Sequence, residues 1–217
     1  MKRIKKILCG LLVLLLLGAG VLAWWQRDNL KALYQAKTTD AETILAEAAV
    51  KSEARQKELE EYGVTLKTPT REEMDTLLNG GQIESAAQDE TTPTDEALSE
   101  QKRAVKDIIE RCIRELYDCE TALMARLGKM KQAAIDEWNA LPDGELTYEK
   151  QLEIGRRGLS ECYKLEVEVD AQVQGILAKY RAELESIDAD TAPMDTLWKH
   201  YCEEKASAKA YYFNKYL

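Results

Sequence analysis

The chain has 217 residues, 45% hydrophobic and 32% charged, with only 11 Gly, 4 Pro and 1 Phe. That length suits one domain, or one domain with an arm, and the composition favours long helices over short strands, so a large multidomain enzyme is excluded. The formal net charge is −9, and residues 26–217 alone hold 26 basic and 39 acidic side chains, a net of −13; a body so acidic repels phosphate backbones and excludes nucleic acid as a partner.

Residues 1–6, with Lys2, Arg3, Lys5 and Lys6, read as a cytoplasmic tail. Ile7 to Trp25 then runs nineteen residues without a charge. As a helix this segment is about 28 Å long, close to the hydrocarbon thickness of a bilayer. Trp24 and Trp25 close it with rings that favour the membrane interface. The basic residues precede the span, so the positive-inside rule leaves the N-terminus cytoplasmic and exports the rest. The expectation is therefore a single-pass anchor over 7–25, with Ile7, Trp24 and Trp25 marking its limits. The alternative is a signal peptide cut between Ala23 and Trp24, giving a secreted protein; the apolar run is longer than the ~7–15 residues such a peptide uses. A six-residue tail holds no catalytic output, so any message to the cytoplasm would need a second membrane protein.

From residue 26 to 62 the chain reads as a helical stalk with a weak apolar stripe, interrupted over Lys51 to Lys57 and stopped by Gly63. Residues 63–95 hold a short helix and an acidic linker. Thr70-Arg71-Glu72-Glu73 fits a capping box, and the helix it opens should run through Met74, Leu77 and Leu78 to Asn79-Gly80. The polar stretch after Gly81, with Pro93, reads as flexible.

Residues 96–217 carry the strongest pattern. Val105, Ile109, Cys112, Leu116, Cys119, Leu123, Leu127, Met130, Ala134, Trp138 and Leu141 recur every three or four residues as one helical seam. Pro142-Asp143-Gly144 breaks it, and Thr147 is placed to cap a second helix. That helix sets Leu152, Gly155, Leu159, Cys162, Leu165, Val169, Val173, Ile176, Tyr180, Leu184 and Ile187 on one face. Pro193 opens a third, carrying Met194, Leu197, Trp198, Tyr201, Cys202, Ala208, Tyr212 and Tyr216. The fold class is all-α: a transmembrane helix, a helical stalk and an extracytoplasmic antiparallel coiled-coil or three-helix bundle.

Six of the fifteen aromatic residues fall between positions 198 and 216, more than one helix in one groove buries. Tyr211 and Phe213 point away from the Ala208–Tyr212–Tyr216 face. Trp198, Tyr211 and Phe213 are therefore candidates for a partner surface, since aromatic side chains are enriched at interface hot spots.

Beyond Cys9, the cysteines are Cys112, Cys119, Cys162 and Cys202. With turns centred near residues 144 and 190, Cys202 falls level with about residue 110 of the first long helix, close to Cys112. A Cys112–Cys202 bridge is the expected pairing. Cys119 and Cys162 are seven residues out of level, roughly 10 Å, too far to join.

The chemistry sought elsewhere is missing. His200 is the only histidine, no Cys-x-x-Cys pair exists, and neither a metal site nor a cofactor is expected. No GxSxG, HExxH or phosphate-binding glycine loop occurs. Gly155-Arg156-Arg157-Gly158 imitates a nucleic-acid GxxG clamp but sits inside a helical seam of an acidic chain. Asp188-Ala189-Asp190-Thr191 starts like a calcium loop but has Pro193 where glycine is required. The expected function is non-catalytic: an envelope scaffold or adaptor, bound to the lipid bilayer and acting on a protein partner or on itself through its helices. An accessory subunit of a membrane transporter or sensor complex comes second, and a carboxylate-dependent hydrolase third.

Overall fold

The computed structural model describes residues 27–83 and 100–216. The expected span at 7–25, with Ile7, Trp24 and Trp25, and most of the acidic linker lie outside them. Among the described residues no helix is long and apolar enough to cross a membrane, and there is no strand. The protein is all-α. Helix α1 spans Arg27–Thr38, α2 Ala41–Glu60, α3 Arg71–Leu78, α4 Glu100–Asn139, α5 Tyr148–Glu185 and α6 Ala192–Tyr216, with a 3-10 turn at Asp143–Glu145.

Local chemistry sets the helix ends. Thr70 Oγ1 accepts from Glu73 N–H, and Thr70 N–H donates to the Glu73 carboxylate at 2.7 Å, so the capping box at α3 is complete. That hydrogen bond from Thr70 holds the Glu73 carboxyl below its ordinary range. Asp40 caps α2 by accepting from Thr43 N–H at 2.9 Å, and Thr147 caps α5 by accepting from Lys150 N–H. At the other ends, Gly63 (φ 69°) and Gly80 (φ 79°) take the left-handed conformation in which a following N–H reaches back five residues, Val64 to Leu59 and Gly81 to Thr76. Asp188 does the same at the end of α5.

The chain divides into two compact units. In the larger, residues 55–198, α4 and α5 form a long antiparallel pair. Every residue of the α4 seam read from the sequence, Val105 to Leu141, is buried or half-buried. On α5 the seam holds from Leu165 to Leu184: Leu165, Val169, Val173, Ile176, Tyr180 and Leu184 are all buried, and Leu177 is buried beside them. Four ion pairs rung the two helices together: Arg111–Glu183 at 2.7 Å, Glu115–Lys179 at 2.7 Å, Arg126–Glu168 at 2.6 Å and Glu137–Arg157. Such exposed pairs are screened by solvent and contribute little stability, so they report the register more than they enforce it.

That register differs from the one expected. Arg111 lies level with Glu183, whereas a turn centred at residue 144 would bring residue 111 opposite 177. The same ladder carried onward sets Asn139, the last residue of α4, beside about residue 155. Helix α5 therefore begins about two turns, or 10 Å, beyond the end of α4. The 140–147 connection is not a tight turn between level ends; it climbs past the end of α4 before α5 starts.

Helix α3 rests on α4 within this unit. Tyr117 Oη donates to Glu73 at 3.1 Å, Lys131 Nζ donates to Asn79 at 2.9 Å, and Gly128 lies under the carbonyl of Leu77. The first turns of α6 close the core, with Met194 fully buried. Tyr62 Oη donates to Asp190 at 2.8 Å, and Thr196 Oγ1 to Glu58 at 2.9 Å.

The smaller unit contains residues 27–54 and 199–216 of the described chain. Ala32, Ile44 and Ala210 form its core, with Tyr211 and Phe213 packed against them. Asn214 Nδ2 donates to the carbonyls of Ala36 at 2.8 Å and Thr39 at 3.2 Å, and Gln35 Nε2 donates to Glu47 at 2.9 Å. The segment read as a solvated stalk thus buries Ile44 completely over this stretch. Its stripe looked weak because several of its buried members are alanines, Ala32, Ala36 and Ala48.

Candidate functional site

The residues singled out from the sequence do not converge on one site. Trp198 is half-buried in the larger unit. Tyr211 and Phe213, expected to face a partner, are half-buried against Ala32, Ile44 and Ala210. A single groove would leave these rings open, but the last turns of α6 are flanked by α1 and α2. Tyr211 and Tyr212 stack edge to face at 5.2 Å.

The expected Cys112–Cys202 bridge is not formed. Cys112 Sγ instead meets Met194 Sδ at 3.8 Å, eight residues before Cys202 on α6. The changed register explains this: the level arithmetic that matched the two cysteines misplaced the first turn. Burial pushes the Cys112 thiol up to about 12 and Cys119 up to about 11. Both are therefore protonated and unreactive in the folded protein at neutral pH. Iodoacetamide at pH 8 should leave Cys112 and Cys119 unmodified in the folded chain and modify both after denaturation, as read by peptide mass mapping.

Among the described residues no titratable constellation takes the place of these candidates. His200 is buried in the smaller unit. Among the described residues no group of three His, Cys, Asp or Glu side chains is arranged to hold a metal ion. The Asp188–Thr191 stretch is a helix stop followed by a cap: Asp190 Oδ1 accepts from Ala192 N–H at 3.0 Å, which holds its carboxyl below the ordinary range.

What the sequence missed is at the end of the α4–α5 hairpin. Period alone assigned Leu152, Gly155 and Leu159 to the buried seam. The structure buries Ile154 instead, at 7%, and leaves Leu159 64% and Tyr148 72% exposed. Leu146, Leu152 and Ile135 are also exposed there. Tyr148 and Leu152 lie on the turns of α5 that run beyond the end of α4, whereas Leu159 has α4 alongside but sits on the helix face turned away from the buried Ile154–Leu165 stripe. Two overlapping apolar stripes run through residues 148–165, and only the stagger decides which one packs. The signal available in the sequence was the pair of competing stripes itself. Gly158 belongs to the buried stripe and Gly155 to the open one; among the described residues nothing lies within 4 Å of a Cβ built at either.

In comparison with known proteins, no family model matches this chain, and no curated protein or solved structure is significantly similar to it.

Proposed function

We propose that the protein is a non-catalytic helical scaffold or adaptor, anchored by a single span at 7–25 with its N-terminus in the cytoplasm and its helical body on the extracytoplasmic side. The observation that carries the reading is the exposed apolar end of the α4–α5 hairpin, formed by Leu146, Tyr148, Leu152 and Leu159. Contiguous exposed apolar side chains on a helix face mark an interaction site, and helix-on-helix docking is the mode such a face supports. Beside it, Glu137 and Arg157 form the last of the four exposed ion pairs that mark the register of α4 and α5.

Crosslinking the full-length chain in its native membrane, followed by mass spectrometry, tests this reading. The expected result is a reproducible protein crosslink through peptides from residues 140–166. A chain that extracts from the membrane with carbonate, or that yields no protein crosslink, would count against it.

A further inference from the structure

Tyr148, Leu152, Gly155 and Leu159 follow one another in steps of four, three and four, the spacing of a coiled-coil seam. They are exposed in the structure at 72% for Tyr148, 37% for Leu152 and 64% for Leu159, and Gly155 is exposed between them. Glu149 and Arg156 edge this stripe on one side, seven residues apart; Gln151 and Gly158 edge the other.

Two neighbouring cations on the helix have partners within the chain: Arg157 pairs with Glu137, and Lys150 with Glu153 at 2.8 Å. Glu149 and Arg156 make no ion pair among the described residues. The two charges beside the apolar stripe are thus left over together with it.

We infer that a second copy of this chain docks antiparallel on the Tyr148–Leu159 face of α5, about a two-fold axis between Leu152 and Gly155. The inference rests on the scaffold reading and names its partner. Reversed, the stripe is its own complement, which is the condition for an isologous contact. Tyr148 falls opposite Leu159 of the second copy, and Leu152 opposite Gly155 of the second copy, so each bulky residue at the centre meets a glycine. The missing side chain at Gly155 lets the two helix axes approach. Glu149 of each copy then falls beside Arg156 of the other, giving two equivalent ion pairs.

A parallel pair does none of this. It would set Gly155 against Gly155, leaving a hole, and bring neither Glu149 beside Arg156. The stripe is about 17 Å long, shorter than a standard interface of roughly 1,200–2,000 Å² requires. The dimer is consequently weak and concentration-dependent.

The test is co-purification of two differently tagged full-length copies, with far-UV circular dichroism confirming that each variant folds. Each substitution acts twice across the two-fold axis, turning two attractions into two repulsions. Glu149→Arg and Arg156→Glu should each reduce co-purification about tenfold. Mixing one with the other should restore it, because every cross-pair is again opposite in sign, and the double swap in one chain should also restore it. Leu159→Glu, at an exposed position, should abolish association without unfolding the chain. Tags that never co-purify in the wild type, or single charge variants that associate as the wild type does, would overturn the inference. A hetero-partner that is crosslinked equally by wild type and Glu149→Arg would still support the scaffold reading while removing self-association from this face.

Discussion

Gly128→Ala should destabilise the protein by about 1–3 kcal/mol, the ordinary cost of overpacking. Helix propensity alone gives the opposite sign, because alanine in place of glycine in a helix interior is favourable by about 1 kcal/mol. The tertiary contact decides. Gly128 is buried, and a Cβ built on it would stand closer to the Leu77 carbonyl oxygen than real contacts allow and 3.2 Å from the Leu78 backbone. Those atoms belong to the last turn of α3, and they are backbone, so no side chain can swing aside. The helix is tied down on both sides of the contact by the Tyr117–Glu73 and Lys131–Asn79 hydrogen bonds. Relief requires moving the whole of α3 away from α4. Gly175→Ala is the control: Gly175 is exposed on α5, and among the described residues nothing lies within 4 Å of its Cβ position. It should stabilise by about 0.5–1 kcal/mol. Urea denaturation of both variants measures the two signs. Equal stabilisation by both would mean that α3 does not seat on α4.

The two glycines also show where sequence reading succeeds and stops. Period and capping are local, so the long helices, the Thr70–Glu73 box and the Gly63 stop were all legible from residue types and spacing. The α4 seam was legible for the same reason: eleven apolar positions at helical spacing leave one face to bury. Which glycine is jammed under a neighbour and which is open depends on tertiary approach, and Gly128 and Gly175 look alike in sequence. The register failed in a related way. A loop centre at residue 144 assumes that both helices end level, and the two-turn overhang of α5 moved every pairing along the helices. Cys112 accordingly met Met194 instead of Cys202, and Leu159 was left open while Ile154 was buried. The candidate surface was therefore present in the sequence as an ambiguity and became visible only once the stagger was known. The aromatic excess at the C-terminal helix was legible too, but the half-burial of Tyr211 and Phe213 against Ala32, Ile44 and Ala210 was not, because it depends on the packing of α1 and α2.

Ile44→Ala should cost about 2–5 kcal/mol, the range for deleting a fully buried aliphatic side chain. The position is the sharpest discriminator between a stalk and a packed unit. On a solvated stalk the same substitution would fall within about 0.5 kcal/mol of neutral. In the structure Ile44 has no exposed surface and shares its core with Ala32 and Ala210, with Tyr211 and Phe213 packed against them. Truncation removes the only large aliphatic side chain of this cluster, so the lost transfer energy is joined by the cost of whatever cavity the neighbouring rings leave unfilled. Val50→Ala on the same helix is the matched control: Val50 is 67% exposed, and its truncation should be close to neutral. Hydrogen exchange gives the local readout, with protection lost over residues 30–52 and 205–214 in Ile44→Ala and kept in Val50→Ala. In the anchored reading this matters for how force and position pass from the membrane. The residues that follow the span would then enter a packed unit shared with the last helix, so the chain's C-terminal turns would be held beside its first described helix rather than free at the far end of a tether.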